Sequence, residues 1–350
     1  MTVIHRTPGD SRHPLRVGFD IGGTKILAGL VDAEGRMVDT LRCDARPELD
    51  AEGMVVALVE QTEALLAQAG AATDEVGAVG LGFPGDFDPG DGTLKTIPNL
   101  PRLVGSRPAA LLAKALADRW QHHPTLAADN DTVVAVLGEA HFGAGRGARR
   151  VLYLTVSTGV GGARFEGRQT ENLEPGLRLF PDPARPDACL EDLAGGAALA
   201  RRIRRQLAEQ LAQNGEDAFR QSHPRLTARV GATPLADWLG TLSARHLGDA
   251  VRDGDPWARE IFDRGADHVA SGLAQLLAQG WGEERIVVGG SIALRVPDYL
   301  DRVRTSLESL QRQAPSDSPL ARFDPQQLVP AGLGEERGVL GAVLLTGQFD

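Results

Sequence analysis

The chain has 350 residues, 42% of them apolar, with 37 basic against 47 acidic side chains and a formal net charge of −10. That length and apolar content allow a large core, point to about two domains and exclude disorder along most of the chain. The acidic balance argues against a nucleic-acid or anionic-membrane surface, and no apolar run reaches the roughly eighteen residues of a membrane span.

Met1–Pro14 is polar, carries His5, Arg6, Arg12 and His13, and lacks an apolar signal core, so a frayed tail is expected. Leu15–Thr40 reads as a strand meander. Within it, Val17-Gly-Phe-Asp20-Ile-Gly-Gly-Thr-Lys25-Ile-Leu-Ala-Gly-Leu-Val-Asp32 runs as apolar strand, Asp, Gly-Gly-Thr turn and second apolar strand. Gly22 and Gly23 let the chain reverse with φ > 0 and leave N–H groups bare, which makes a phosphate cradle. Asp20 at the strand end suits Mg²⁺, directly or through water, and Thr24 suits a phosphate oxygen. No Walker loop or dinucleotide fingerprint opens a helix here.

Ala51–Ala69 reads as a helix stopped by Gly70, Val76–Phe83 as a strand, Pro108–Trp120 as a helix and Thr125–Ala128 as a short strand. Thr132–Phe142 is the next helix, and Asp131 stands between it and the strand. A carboxylate at a strand's carboxyl end suits a general base, although from position alone an ordinary helix cap is the better explanation of an Asp there. A second strand–turn–strand then follows, Arg150–Val156 leading into Ser157-Thr-Gly159-Val-Gly161-Gly162. The repeat points to two related α/β halves. Leu193–Gln213 is helical and basic on one side, and Asn214–Thr233 has little period and reads as a surface insertion. Pro234–His246 and Pro256–Gln279 read as amphipathic helices and Arg285–Gly289 as a strand ending in a third glycine turn, Gly289-Gly290-Ser291. Tyr299–Leu310 and Gly338–Leu345 are the last helices.

The ordered pieces Asp20-Ile-Gly-Gly-Thr-Lys25, Gly82-Phe-Pro-Gly85, Pro98-Asn-Leu-Pro101, Asp129-Asn-Asp131, Gly138-Glu139, Gly143-Ala-Gly-Arg-Gly147, Ser157–Gly162 and Val288-Gly-Gly-Ser291 resemble the ROK family of sugar kinases and repressors, in the actin-like ATPase superfamily. The resemblance runs from Val17 to about Leu345. It implies two actin-like, ribonuclease H-like α/β domains around a nucleotide–sugar cleft. One would hold residues 1–130 plus about 336–350, the other 131–335 with an insertion near 214–233. It implies an ATP-dependent kinase acting on a hydroxyl of a hexose or amino sugar, with O6 of glucose as default. The base would be Asp131, and the sugar ligands Asn99, Asn130, Asp131, Glu174 and Glu191. ATP and Mg²⁺ would be held by Asp20, Gly22, Gly23, Thr24, Lys25, Thr158, Gly159, Gly161, Gly289 and Gly290. It further implies a small-molecule sugar partner, no nucleic acid or membrane, and a homo-oligomer such as a dimer.

One departure stands out. The family continues Glu-x-Gly with His and supplies a cysteine cluster for structural zinc, but here Leu177 takes the His place and Cys189 is the only thiol of that loop. A tetrahedral zinc needs about four ligands, so no zinc is expected. Leu177, Leu179 and Phe180 are expected to bury apolar area in its stead. With Cys43 the only other cysteine, a reducing cytoplasm is expected and a disulfide framework is not. Three functions compete: a kinase, a repressor, and a non-catalytic sugar sensor. Only nineteen residues precede Asp20 and they show no helical period, which disfavours the DNA-binding domain a repressor carries. Retention of Asp20, the glycine turns and Asp131 disfavours the sensor.

Overall fold

The computed structural model describes residues 2–4, 14–228, 230, 233–280 and 283–347. His5, Arg6, Arg12 and His13 lie outside the described residues. The chain divides into two units, Met1–Arg149 with Ala163–Asn172 and Ala331–Asp350, and Arg150–Gly162 with Leu173–Pro330.

The first unit contains β1 (Thr2–Ile4), β2 (Leu15–Ile21), β3 (Lys25–Val31), β4 (Met37–Asp44), α1 (Ala51–Ala69), β5 (Val76–Phe83), β6 (Asp86–Phe87), β7 (Leu94–Thr96), α2 (Pro108–Trp120), β8 (Thr125–Asn130) and α3 (Asp131–Phe142). Its main sheet has the order β1-β8-β5-β2-β3-β4. β2, β5 and β8 are parallel, while β2–β3–β4 is an antiparallel meander. Alternation decides the two faces. Val17, Phe19 and Ile21 of β2 enter a core with Met54, Leu58 and Leu65 of α1 and Leu112 and Leu116 of α2. The opposite row, Gly18 and Asp20, faces the helix Glu336–Leu344 near the chain's end. That helix also packs on α3, and glycine makes the approach possible. A Cβ on Gly80 would strike the Ala342 carbonyl, and one on Gly341 the Val134 carbonyl. Asp50 caps α1 through its side chain, and Gly70 ends it in the left-handed region.

β9 (Arg150–Val156) opens the second unit. The division falls within β10 (Val160–Glu166), which pairs antiparallel with β11 (Gln169–Asn172) from Ala163↔Asn172 to Glu166↔Gln169. The second unit continues through α4 (Pro175–Arg178), α5 (Leu190–Ala194), α6 (Gly196–Ser222), α7 (Pro224–Thr227), α8 (Leu235–Thr241), α9 (Ala244–Arg252) and α10 (Pro256–Ala278). It ends with β12 (Arg285–Gly289), α11 (Ser291–Arg295), α12 (Tyr299–Gln313), α13 (Pro319–Arg322) and β13 (Leu328–Pro330). The final helix, α14 (Glu336–Leu344), returns to the first unit. β9, β12 and β13 are parallel. The all-apolar run Ile286–Val288 is fully buried, as a strand covered on both faces requires.

Four expectations are corrected. The tail is not frayed throughout, because Thr2–Ile4 pairs with Leu126–Ala128 of β8. The first boundary falls after Arg149 rather than Asn130, because α3 packs on α14 in the first unit. Residues 214–228 do not form a mere surface insertion: α6 runs on past a kink at Gly215 (φ 75°), and Phe219, Leu226 and Thr227 are buried. Residues 229, 231 and 232 of that segment lie outside the described residues. Pro234–His246 is two helices, broken at Leu242–Ser243, where the Ser243 N–H donates to His246 Nδ1.

Candidate functional site

In the first unit the parallel strands end in a row of functional groups. Asp20 of β2 is in register with Gly82 of β5, and Gly82 with Asp129 of β8. Side chains in register on neighbouring strands share a face, and the Cα atoms of the two aspartates lie two strand spacings apart, about 10 Å. Burial pushes the Asp20 carboxyl above its ordinary value, against the opposing charge of Arg337. Burial pushes Asp129 up as well, opposed by its hydrogen bond from the Asn130 N–H at 2.8 Å.

Asp20, Gly22 and Lys25 line a pocket of about 210 Å³ with Arg42, Glu335 and Arg337. Arg42 and Glu335 form an ion pair at its rim. The turn closes through Gly22 N–H to the Lys25 carbonyl at 2.8 Å. Neither Gly22 nor Gly23 takes a positive φ, which corrects the expected reason for glycine there. The actual reason at Gly23 is contact: a Cβ would run into the Asn99 side chain. The structure thus brings Gly23 and Asn99 together, with Asn99, Thr24 and Lys25 exposed. The Asp20 carboxylate beside the turn and its cationic side chains suits Mg²⁺, which keeps waters and shares phosphate oxygens rather than needing an all-protein cage.

Asn130 is buried and largely committed. Its Oδ1 accepts from Thr132 N–H at 2.8 Å and from the Thr132 hydroxyl, while Nδ2 donates to the Gly85 carbonyl at 3.0 Å. It caps α3 and leaves one amide N–H for any other partner. Asp131, half-buried, is the first residue of that helix, at the end of the parallel strands where ligands of open α/β sheets bind.

In the second unit β9 and β12 run parallel with Thr155 opposite Gly289, so both glycine turns leave the same sheet edge. Ser157 and Ser291 hydroxyls hydrogen bond at 3.0 Å. Glu191 Oε2 accepts from Val160 N–H at 2.9 Å, and a Cβ on Gly159 would strike that carboxylate. Thr158 is exposed and Gly161 half-buried in the same turn. Gly289 leaves room for the Tyr153 ring, and Gly290 adopts φ 93° against the Val156 carbonyl.

Glu174 is half-buried and held at φ 45°, ψ 49° immediately before Pro175. A left-handed non-glycine residue, and one before proline, is doubly disfavoured, and such strain gathers at functional sites. The loop that follows is anchored by Leu179, which is buried, and by Leu190 N–H to the Leu179 carbonyl at 2.8 Å. Leu177 and Phe180 are instead exposed, contrary to expectation, and Leu179 alone of the three enters the core.

Two residues of the site had no role in the sequence reading. Arg337 supplies charge beside Asp20 and was hidden in the stretch before α14. Glu139 is fully buried: its Oε2 accepts from Ala144 N–H at 2.8 Å and Gly332 N–H at 3.0 Å, and its Oε1 from Leu333 N–H at 3.0 Å. It ties the Gly143–Gly147 loop to the segment leading into α14. The only signal for it was the Gly138-Glu139 pair.

No helix among the described residues is long and apolar enough to cross a membrane. The profile of the ROK family matches residues 16–170 and 185–348. The chain is 28% identical to a glucokinase of Thermotoga maritima over 340 residues, covering 93% of this chain and 95% of that protein. Among solved structures, a ROK hexokinase from Thermus thermophilus superposes with a TM-score of 0.71 at 28% identity, covering 95% of this chain and 97% of that one. A ROK family glucokinase from Streptomyces griseus, in complex with glucose and AMPPNP, gives 0.69 at 29% identity over 95% and 98%. With sheet-and-helix units of mixed α/β type and a family match over nearly its whole length, the chain belongs to the ROK family.

Proposed function

We propose that the protein is an ATP-dependent kinase that transfers the γ-phosphoryl group to a hydroxyl of a hexose or amino sugar, with O6 of glucose as the first acceptor to test. The observation that carries this reading is Asp131, the first residue of α3, set by the committed Asn130 cap at the end of the strand row that also ends in Asp20. In the proposed reaction the sugar oxygen attacks the γ-phosphorus, its proton passes to the Asp131 carboxylate, and the bond from the γ-phosphorus to the bridging oxygen breaks to release ADP. Gly23 and Thr24 offer phosphate donors, Gly22 closes the turn that presents them, and Lys25 and Arg337 offset charge. Asp20 would hold Mg²⁺, which when bound neutralises phosphate oxygens. Thr158, Gly159, Gly161, Gly289 and Gly290 are assigned to the nucleotide. Asn99, Glu174, Glu191 and the free N–H of Asn130 are assigned to sugar hydroxyls.

The test is ADP release across glucose, mannose, fructose and N-acetylmannosamine, with wild type and Asp131→Asn. Loss of a general base costs on the order of 10²–10⁴ in rate, so kcat falls far more than KM rises. ATP binding without sugar-stimulated ADP release would sink the kinase reading and favour a sugar sensor. Near-normal kcat in the variant would leave Asp131 a helix cap only.

A further inference from the structure

The second unit contains a pocket of about 660 Å³ between the Ala184–Ala188 loop and the first turns of α6. Four guanidinium groups line it, those of Arg185, Arg201, Arg202 and Arg205, against two carboxylates, Asp187 and Asp192. No described residue gives any of the four an ion pair or a side-chain hydrogen bond. Several arginines elsewhere are ion-paired: Arg36 with Asp32 and Glu34, Arg119 with Glu63, Arg220 with Glu216, Arg302 with Asp267. Arg204, on the same basic helix, is also committed, donating to the Leu242 carbonyl at 2.6 Å. Asp192 Oδ2 accepts from Cys189 N–H at 3.1 Å and from its thiol at 3.0 Å, and the charges of Arg185 and Arg201 add to these in holding its carboxyl below its ordinary value.

The bland alternative is a solvated basic face. Two features oppose it. Arg202 is half-buried, and burial, reinforced by the like charges of Arg185 and Arg264, pushes its guanidinium below its ordinary value. Arg201 and Arg205 stand four apart on a helix, where like charges repel. A chain with net charge −10 has acidic side chains in excess, yet gathers unpaired cations around one concavity. Guanidinium groups match phosphate oxygens bidentately, and several converging on one cavity match more than one phosphate.

We infer that this pocket is a binding site for a compact anion carrying two or more phosphate groups. Such an anion is either an inorganic phosphate chain or a phosphorylated sugar. The inference is independent of the proposed kinase activity.

The test is calorimetric titration of the purified protein at low ionic strength with tripolyphosphate, pyrophosphate, inorganic phosphate and a hexose bisphosphate. Wild type is compared with Arg202→Ala/Arg205→Ala and with the charge reversal Arg201→Glu/Arg205→Glu. Removing one charge-assisted hydrogen bond weakens binding by roughly tenfold or more, so both double variants bind the multi-phosphate probes at least about tenfold more weakly. Their melting temperature without anion stays at or above that of wild type, since repulsion is relieved. Tighter binding of tripolyphosphate assigns the inorganic source, and tighter binding of the hexose bisphosphate the sugar source. Absence of any binding, equal affinity in wild type and both variants, or inorganic phosphate binding as tightly as the multi-phosphate probes would overturn the inference.

Discussion

Replacing Glu139 tests how the first unit is held together, because one buried carboxylate there serves three backbone donors, two of them distant in sequence. Oε2 takes two of them, from Ala144 and Gly332, and Oε1 takes the third, from Leu333. In Glu139→Gln the amide oxygen keeps the pair at Oε2, while the NH₂ group is turned on the Leu333 N–H. One charge-assisted bond is lost and two donors face each other, which costs about 1.5–3 kcal/mol. For a unit of this size each kcal/mol moves the melting temperature by roughly 2–4 °C, so the expected drop is about 3–12 °C. Glu139→Ala strands all three N–H groups. Water reaches part of the site, since Gly332 is exposed, and the expected cost is about 2–4 kcal/mol rather than the sum of three full bonds. Calorimetric melting measures the first effect, and limited proteolysis within Gly143–Gly147 reports release of the tied loop. A Glu139→Gln protein melting within about 1 °C of wild type, a small fraction of the expected shift, would refute the reasoning.

Burial raises the Asp20 carboxyl above its unfolded value of about 4, so its contribution favours folding below that value and is lost as pH rises through the folded value. Asp20→Asn should therefore melt higher than wild type at pH 7, lose that advantage at pH 3, and lose phosphoryl transfer; a variant melting lower at pH 7 contradicts the sign. Glu174→Gly removes a left-handed non-glycine residue and should leave stability within about 1 kcal/mol of wild type while raising KM for the sugar. A large loss of stability there would make the carboxylate structural. Cys189 is the only thiol of residues 174–191, so the melting temperature should be unchanged in a strong chelator, and about one zinc per chain after metal-free dialysis would overturn that expectation.

Helices and strands with strong periodicity were legible. α1, β5 and α2 begin and end where Asp50, Gly70, the apolar run Val76–Phe83 and Pro108 place them. These signals are local, since a cap, a stop or an alternation is decided within one turn of chain. The basic helix near Leu193–Gln213 was legible in kind but not in extent. Gly215 and the polar stretch after it suggest an ending, whereas burial of Phe219 and Leu226 carries helical chain on to Thr227. Tertiary burial overrode a weak local signal there. β1 escaped for the opposite reason: three residues carry no period, and only pairing with β8 makes them a strand.

The candidate site divides along the same line. Asp20, the glycine turns and Asp131 were legible because they sit on strand ends whose pattern is written in sequence. The reason for glycine at position 23 was not legible, because its neighbour, Asn99, lies 76 residues away and acts by contact rather than by turn geometry. Glu139 shows the limit most clearly. Two of its partners are 193 and 194 residues distant, and all three are backbone N–H groups, which leave no mark on residue identity. A helix pattern predicts Glu139 as one more polar position near the end of α3. Only the return of α14 onto that helix turns the position inward and gives its carboxylate donors. Asn130 makes the converse case. Its family likeness names it a sugar ligand, yet its amide is mostly spent on Thr132 and Gly85. What it visibly does is cap α3 and so fix the position of Asp131, the first residue of that helix.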